Sequence, residues 1–247
     1  MKTMFELLSD QKIVIMGEGS GLDLAIVQTL QELKTKVILA IPSSQKLDQA
    51  TELKQSEIEV KIVDGLNEEK IKVFFEEVGN FDHLVVTSIG DRNMPRSLLT
   101  EMTTETAQGG MEKFWRTFFA VRYSLNTLAK KGSITLISSV TIFKGSKMGG
   151  ISVIAASNSA IAVFGRSLAL ELAPIRVNVI APGLIEDTSI WSSQSETERE
   201  QLTQWATTAL PVEHLGQPEE IVQAILSLIT NPYMTGVILP VDGGVTL

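Results

Sequence analysis

An open, doubly wound α/β sheet of about seven parallel strands, with helices on both faces, is the fold class this sequence predicts. Three observations predict it. Short β-branched runs alternate with helix-length segments almost to the end of the chain. The runs are apolar on both sides, as strands covered on both faces must be. The chain has 247 residues, 44% of them hydrophobic, enough for one large core.

The strands expected are KIVIM (12–16), KVILAI (36–41), VKIV (60–63), HLVVT (83–87), SITLIS (133–138), IRVNVIA (175–181) and VILPV (237–241). Helical patterns fall between them near 21–33, 45–55, 67–78, 111–130, 151–173 and 217–229. Such a βαβ series gives a parallel sheet. No repeat, low-complexity tract or interdomain linker interrupts it, so residues 1–247 are expected to form one domain. The long insertion at 184–214 is acidic and holds two of the three tryptophans, Trp191 and Trp205. It reads as a lid over the carboxyl ends of the strands, or else as a solvated hairpin.

A formal charge of −8 argues against nucleic acid or an anionic membrane as the main partner. Cysteine is absent, which excludes disulfides and thiolate chemistry. The opening MKTMFELLSDQK lacks a signal peptide's apolar core, and no run approaches membrane-spanning length. A cytoplasmic protein is the expectation. The two histidines, His83 and His214, have no carboxylate spacing around them that would make a metal centre and read as structural.

The segment MGEGSGLD (16–23) joins the first strand to the first long helix. Glycines there permit positive φ and close backbone approach, and free helix N–H groups suit a pyrophosphate. The expected contacts are Gly17, Ser20, Gly21 and Leu22. Asp23 takes the place of a third glycine. Its carboxylate is expected to compete with a phosphate at the helix N-terminus, so that Asp23→Gly would tighten binding. After the second strand, Ser43, Ser44 and Lys46 in IPSSQK would suit a 2′-phosphate, which favours NADP(H) over NAD(H). An ordinary polar loop would look the same.

The whole chain resembles the short-chain dehydrogenase/reductase family, a Rossmann-fold family. GSITLISSV (132–140) is similar to the family's catalytic-serine strand and implies Ser139 as its serine. RSLALELAPIRVNVIAPG (166–183) and HLGQPEEIVQAILSLITNPYMTGVILPVDGG (214–244) match the stretches that close the domain. The resemblance implies an adenine contact at Asp64 and Gly65. It places further dinucleotide contacts at Thr87, Ser88 and Ile89 and at Pro182, Gly183 and Ile185. VTSI (86–89) stands where the family has Asn-Asn-Ala-Gly.

Counting back from Arg166 and Glu171, the family's Tyr-x-x-x-Lys pair falls on Ile154 and Asn158, in a helix whose first turns are nearly all Ala and Ser. The family's helix asparagine falls on Lys113. By resemblance the activity is reduction or oxidation of a small carbonyl or alcohol with a nicotinamide cofactor. Without the pair, two readings stay open. One is an atypical oxidoreductase using Ser139 and Lys113; the other is a non-catalytic ligand-binding sensor or scaffold. Lys113 either assists as a buried acid or points to solvent or to a nearby carboxylate. The double replacement Ile154→Tyr with Asn158→Lys is expected to restore carbonyl reduction. Helices 111–130 and 151–173 present a small-residue, apolar face suited to a homodimer or homotetramer.

Overall fold

The computed structural model describes residues 3–19, 21–43, 58–87, 97–146, 149–186, 191 and 194–247. In chain order the elements are α1 (Met4–Leu8), β1 (Lys12–Met16), α2 (Leu22–Glu32), β2 (Lys36–Ile41), β3 (Ile58–Ile62), α3 (Glu68–Val78), β4 (Phe81–Val86), α4 (Thr104–Gly109) and α5 (Glu112–Ser124). They continue with β5 (Leu128–Ile137), α6 (Ile151–Glu171), β6 (Arg176–Pro182), α7 (Glu196–Ala209), α8 (Pro218–Thr230) and β7 (Ile238–Val241). The seven strands form one sheet in the order β3-β2-β1-β4-β5-β6-β7, and every neighbouring pair is parallel. The chain reverses direction across the sheet between β1 and β4. That is the switch point beyond whose strand ends ligands bind in open α/β sheets.

Period-two alternation on the central strands builds two cores. Val14 and Met16 of β1 face a core with Ile71, Phe75, Val121, Ile161 and Leu168 of α3, α5 and α6. Ile13 and Ile15 face the opposite core with Ile26 and Leu30 of α2 and Val222 and Ile225 of α8. Each fully buried side chain of this size contributes roughly 1.5–3 kcal/mol.

Three departures from the sequence reading have physical causes. Strand β3 begins at Ile58 and is only partly covered, with Glu59 exposed and Ile62 about half-exposed, because it is the sheet edge. The helix expected over 111–130 stops at Ser124, where a turn donates Thr127 N–H to Ser124 O at 3.1 Å. Leu128 then opens β5 by pairing with Phe81 ahead of a register shift, so its apolar side chain serves a strand. Helix α6, at 21 residues with an 18-residue stretch of mean hydropathy 1.4, is long and apolar enough to cross a membrane, against the sequence expectation. It packs on β6 and buries Ile161, Ala162, Gly165, Leu168 and Ala169, as a core helix does. The helix expected over 45–55 lies outside the described residues.

Candidate active site

The residues expected to hold a dinucleotide stand at successive strand ends along the carboxyl edge of the sheet. Gly17 follows β1, Ser43 follows β2, Asp64 and Gly65 follow β3, and Thr87 follows β4. Pro182 ends β6, with Gly183 bonded from its N–H to Val241 O at 3.0 Å. Gly21 caps α2 at φ 50° without a side-chain cap, leaving the helix start open to an anion. A side chain at Gly17 would collide with Asp23 and Thr87, so this turn needs a glycine. Ser20, Ser44, Lys46, Ser88 and Ile89 lie outside the described residues.

Asp23 corrects one expectation. Its side chain turns beneath the glycine turn, 2% exposed. Oδ2 accepts the N–H groups of Glu18 at 2.7 Å and Gly19 at 2.9 Å, and Oδ1 is hydrogen-bonded to Thr87 Oγ1. The carboxyl group thus ties the turn to the end of β4. Burial raises its pKa, outweighing the opposing bonds from Thr87, Gly19 and Glu18. The helix start without a side-chain cap is therefore at Gly21 and Leu22, and Asp23 does not face it.

A second group of polar side chains gathers where α5 and α6 flank the end of β5. Lys113 Nζ donates to Asn158 Oδ1 at 2.8 Å and to Ser138 O at 3.1 Å. Asn158, itself 2% exposed, donates from Nδ2 to Thr141 Oγ1 at 3.2 Å, which turns its carbonyl oxygen toward Lys113. Ser138 Oγ donates to Asn158 O at 2.9 Å. Neighbouring Ser139 caps the short 3-10 turn Val140–Ile142, its Oγ accepting Thr141 N–H at 3.3 Å. Two of the partners of Lys113 are thus neutral oxygens on the end of β5 and on α6. Ile154 is half-buried one turn before Asn158 on α6. Sequence reading did not single out Thr141, because a Thr in a loop carries no signal until the fold folds it back onto α6.

The insertion leaves β6 and returns through a parallel bridge between Ile185 and Gly216. Gly216 N–H donates to Leu184 O and Glu186 N–H to Gly216 O, both at 3.0 Å. Between them α7 carries a capping box at Ser195 and Glu198. Both histidines are accounted for by local bonds. His83 Nδ1 pairs with Ser133 Oγ at 2.8 Å, and His214 Nδ1 donates to Leu215 O at 2.8 Å. Burial pushes the His83 imidazole down to about 4.

The family model described as enoyl-(acyl carrier protein) reductase matches residues 17–246. The chain belongs to the short-chain dehydrogenase/reductase family. Carbonyl reductase family member 4 of Xenopus laevis is 30% identical over 242 residues, covering 94% of this chain and 97% of that one. Among solved structures, a small-chain dehydrogenase in complex with NADPH matches with a TM-score of 0.78 and 28% identity, over 96% of this chain and 99% of that one. The NADPH-bound short-chain oxidoreductase of Pseudomonas aeruginosa PAO1, described as containing an atypical catalytic center, gives a TM-score of 0.83 at 25% identity. It covers 96% of this chain and 97% of the other. Membership makes this chain part of an oxidoreductase family with NADPH-binding relatives.

Proposed function

We propose that this short-chain dehydrogenase/reductase is an NADP(H)-linked oxidoreductase for a small carbonyl or activated alkene, with Lys113 taking over the role of the proton-donating group. The observation that carries the reading is the 2.8 Å bond from Lys113 Nζ to Asn158 Oδ1. It brings an ammonium from α5 to the place on α6 where the family resemblance puts a lysine.

The residues present fit a dinucleotide. The uncapped start of α2 suits a pyrophosphate, and Gly17, with no room for a side chain, fixes the turn before it. Bound NADPH would supply the hydride. Ser139 Oγ would donate a hydrogen bond to the substrate oxygen, and Lys113 would hold positive charge beside that oxygen and release a proton to it. Asn158 and Ser138 O orient the ammonium, and Thr141 Oγ1 holds the Asn158 amide in turn. A positioned acid of this kind contributes about 10²–10⁴-fold. We assign the insertion at 184–214 as the lid, the compartment as the cytoplasm, and the assembly as a homo-oligomer formed through α5 and α6. Ile154 favours a second reading, a non-catalytic dinucleotide-binding sensor or scaffold, because an alkyl side chain there transfers no proton.

The two readings separate in one experiment. NADPH and NADH are titrated by fluorescence, and NADPH consumption is then followed with a panel of simple ketones, aldehydes and enones. The oxidoreductase reading expects tighter NADPH than NADH binding and substrate-dependent consumption. Binding with no consumption across the panel would leave the sensor reading standing.

A further inference from the structure

The hydroxyl of Thr141 stands at the outer end of the hydrogen-bond chain that begins at Lys113. An ammonium can only donate, so the Asn158 atom 2.8 Å from Lys113 Nζ must be the amide oxygen. That fixes the amide, and Nδ2 faces Thr141 Oγ1 at 3.2 Å. Nδ2 can only donate in its turn, so Thr141 Oγ1 accepts there and keeps its own proton. Among the described residues that proton meets no acceptor. Asn158 is 2% exposed whereas Thr141 is half-buried, so the chain runs from the interior outward. Thr141 N–H also donates to Ser139 Oγ at 3.3 Å, which sets the two hydroxyls on one turn.

We propose that Thr141 is a catalytic residue, whose Oγ1–H donates a second hydrogen bond to the substrate carbonyl oxygen beside that from Ser139. The proposal rests on the oxidoreductase reading above and adds a group to it. A carbonyl oxygen has two lone pairs, which two hydroxyls fill. The charge on Lys113 polarises the Asn158 amide, and the amide polarises the hydroxyl, so Thr141 is a stronger donor than an isolated threonine. Its bond strengthens as negative charge builds on the oxygen during hydride transfer, and so lowers the barrier more than it aids binding. Ile154 on α6 has no proton to offer, and the loop after β5 supplies the donor in its place.

The test compares Thr141→Val, which removes the hydroxyl at nearly constant volume, with Thr141→Ser, which keeps it. Reduction of the ketone consumed fastest in the panel is followed as NADPH consumption. Thr141→Val is expected to lower kcat by about 10²-fold, with KM and NADPH affinity within about threefold of the parent. Thr141→Ser should recover most of that loss, and Thr141→Ala makes the same comparison should the valine variant not fold. A cycle with Lys113→Met separates contact from support. If Thr141 acted only by holding Asn158, its removal would cost nothing further once Lys113 is gone. The proposal expects Thr141→Val to cost about tenfold or more in that background too. Infrared difference spectra give a reading independent of turnover. With NADP+ and the same ketone, isotope-labelled at its carbonyl carbon, the bound C=O stretch should lie at higher frequency in Thr141→Val than in the parent and return in Thr141→Ser. Unchanged kcat in Thr141→Val, no further loss beside Lys113→Met, or an unmoved stretch would overturn the proposal. A parent that binds NADPH and reduces nothing in the panel would overturn the oxidoreductase reading and the proposal with it. Turnover by the parent with an unchanged Thr141→Val would overturn only the role of Thr141.

Discussion

Asp23 shows how one residue can carry a different meaning in sequence and in space. In sequence it is an acid in a first helical turn, where the macrodipole favours negative charge. In the fold it is a buried plug whose oxygens accept two amides and meet Thr87. Thr87 Oγ1 also donates to Met16 O at 3.3 Å. One hydroxyl proton cannot serve both Met16 O and an ionised Asp23, whereas a protonated Asp23 satisfies every group. Its folded pKa is raised, so the stability it contributes is full below the unfolded value of 3.8 and is lost as pH rises through the folded value. Asp23→Asn keeps the acceptor and supplies a donor. It is expected to match or exceed the parent's stability at pH 7 in urea unfolding and to remove that loss. Asp23→Gly removes the acceptor of the Glu18 and Gly19 N–H groups, the latter buried, and should cost about 1–3 kcal/mol while weakening NADPH, the reverse of the sequence expectation. His83 works in the opposite sense. Its folded pKa of about 4 lies below the unfolded 6.5, so its contribution is present above 6.5 and lost as pH falls toward 4. That limb amounts to roughly 3 kcal/mol and should flatten in His83→Asn, which retains a hydrogen-bonding atom toward Ser133.

At the scale of elements, the strands and long helices were largely legible because burial on two faces imposes an unmistakable pattern. The end of α5 was not. Leu125 and Leu128 continue a helical period, and only pairing with Phe81 shows that Leu128 starts a strand. Ser139 and Lys113 could be named from the sequence. Their setting could not, since it depends on α5 and α6 meeting across the end of β5. That setting changes one engineering expectation. Asn158→Lys would put a second ammonium where Lys113 now finds its acceptor, a like-charge contact. The double variant Ile154→Tyr with Asn158→Lys is thus expected to fold poorly or stay inactive. Adding Lys113→Asn relieves the repulsion and exchanges the two side chains between helices. The triple variant should exceed the double variant in ketone reduction, measured as NADPH consumption. Equal rates would show that the two positions do not interact.

For the molecule as a whole, the outer face of α5 and α6 matters most. Phe114, Phe118 and Phe164 pack across the two helices, edge-to-face at 5.7 Å between centroids for Phe114–Phe164 and tilted at 6.0 Å for Phe118–Phe164. Beside them Trp115 is 48% exposed and Val163 64%. A contiguous apolar face of this kind is costly in water and suits isologous pairing about a two-fold axis. Sedimentation equilibrium at micromolar concentration should give a dimer or tetramer, and Trp115→Glu with Val163→Glu should shift it to lower order. A monomeric parent would refute the pairing. Assembly and cofactor binding both leave the central question at Lys113. Its most direct test is kcat in Lys113→Met beside the NADPH dissociation constant of the same variant. The account predicts kcat lower by about 10²-fold or more with NADPH affinity within about threefold of the parent. Unchanged kcat with a folded, NADPH-binding variant would contradict it.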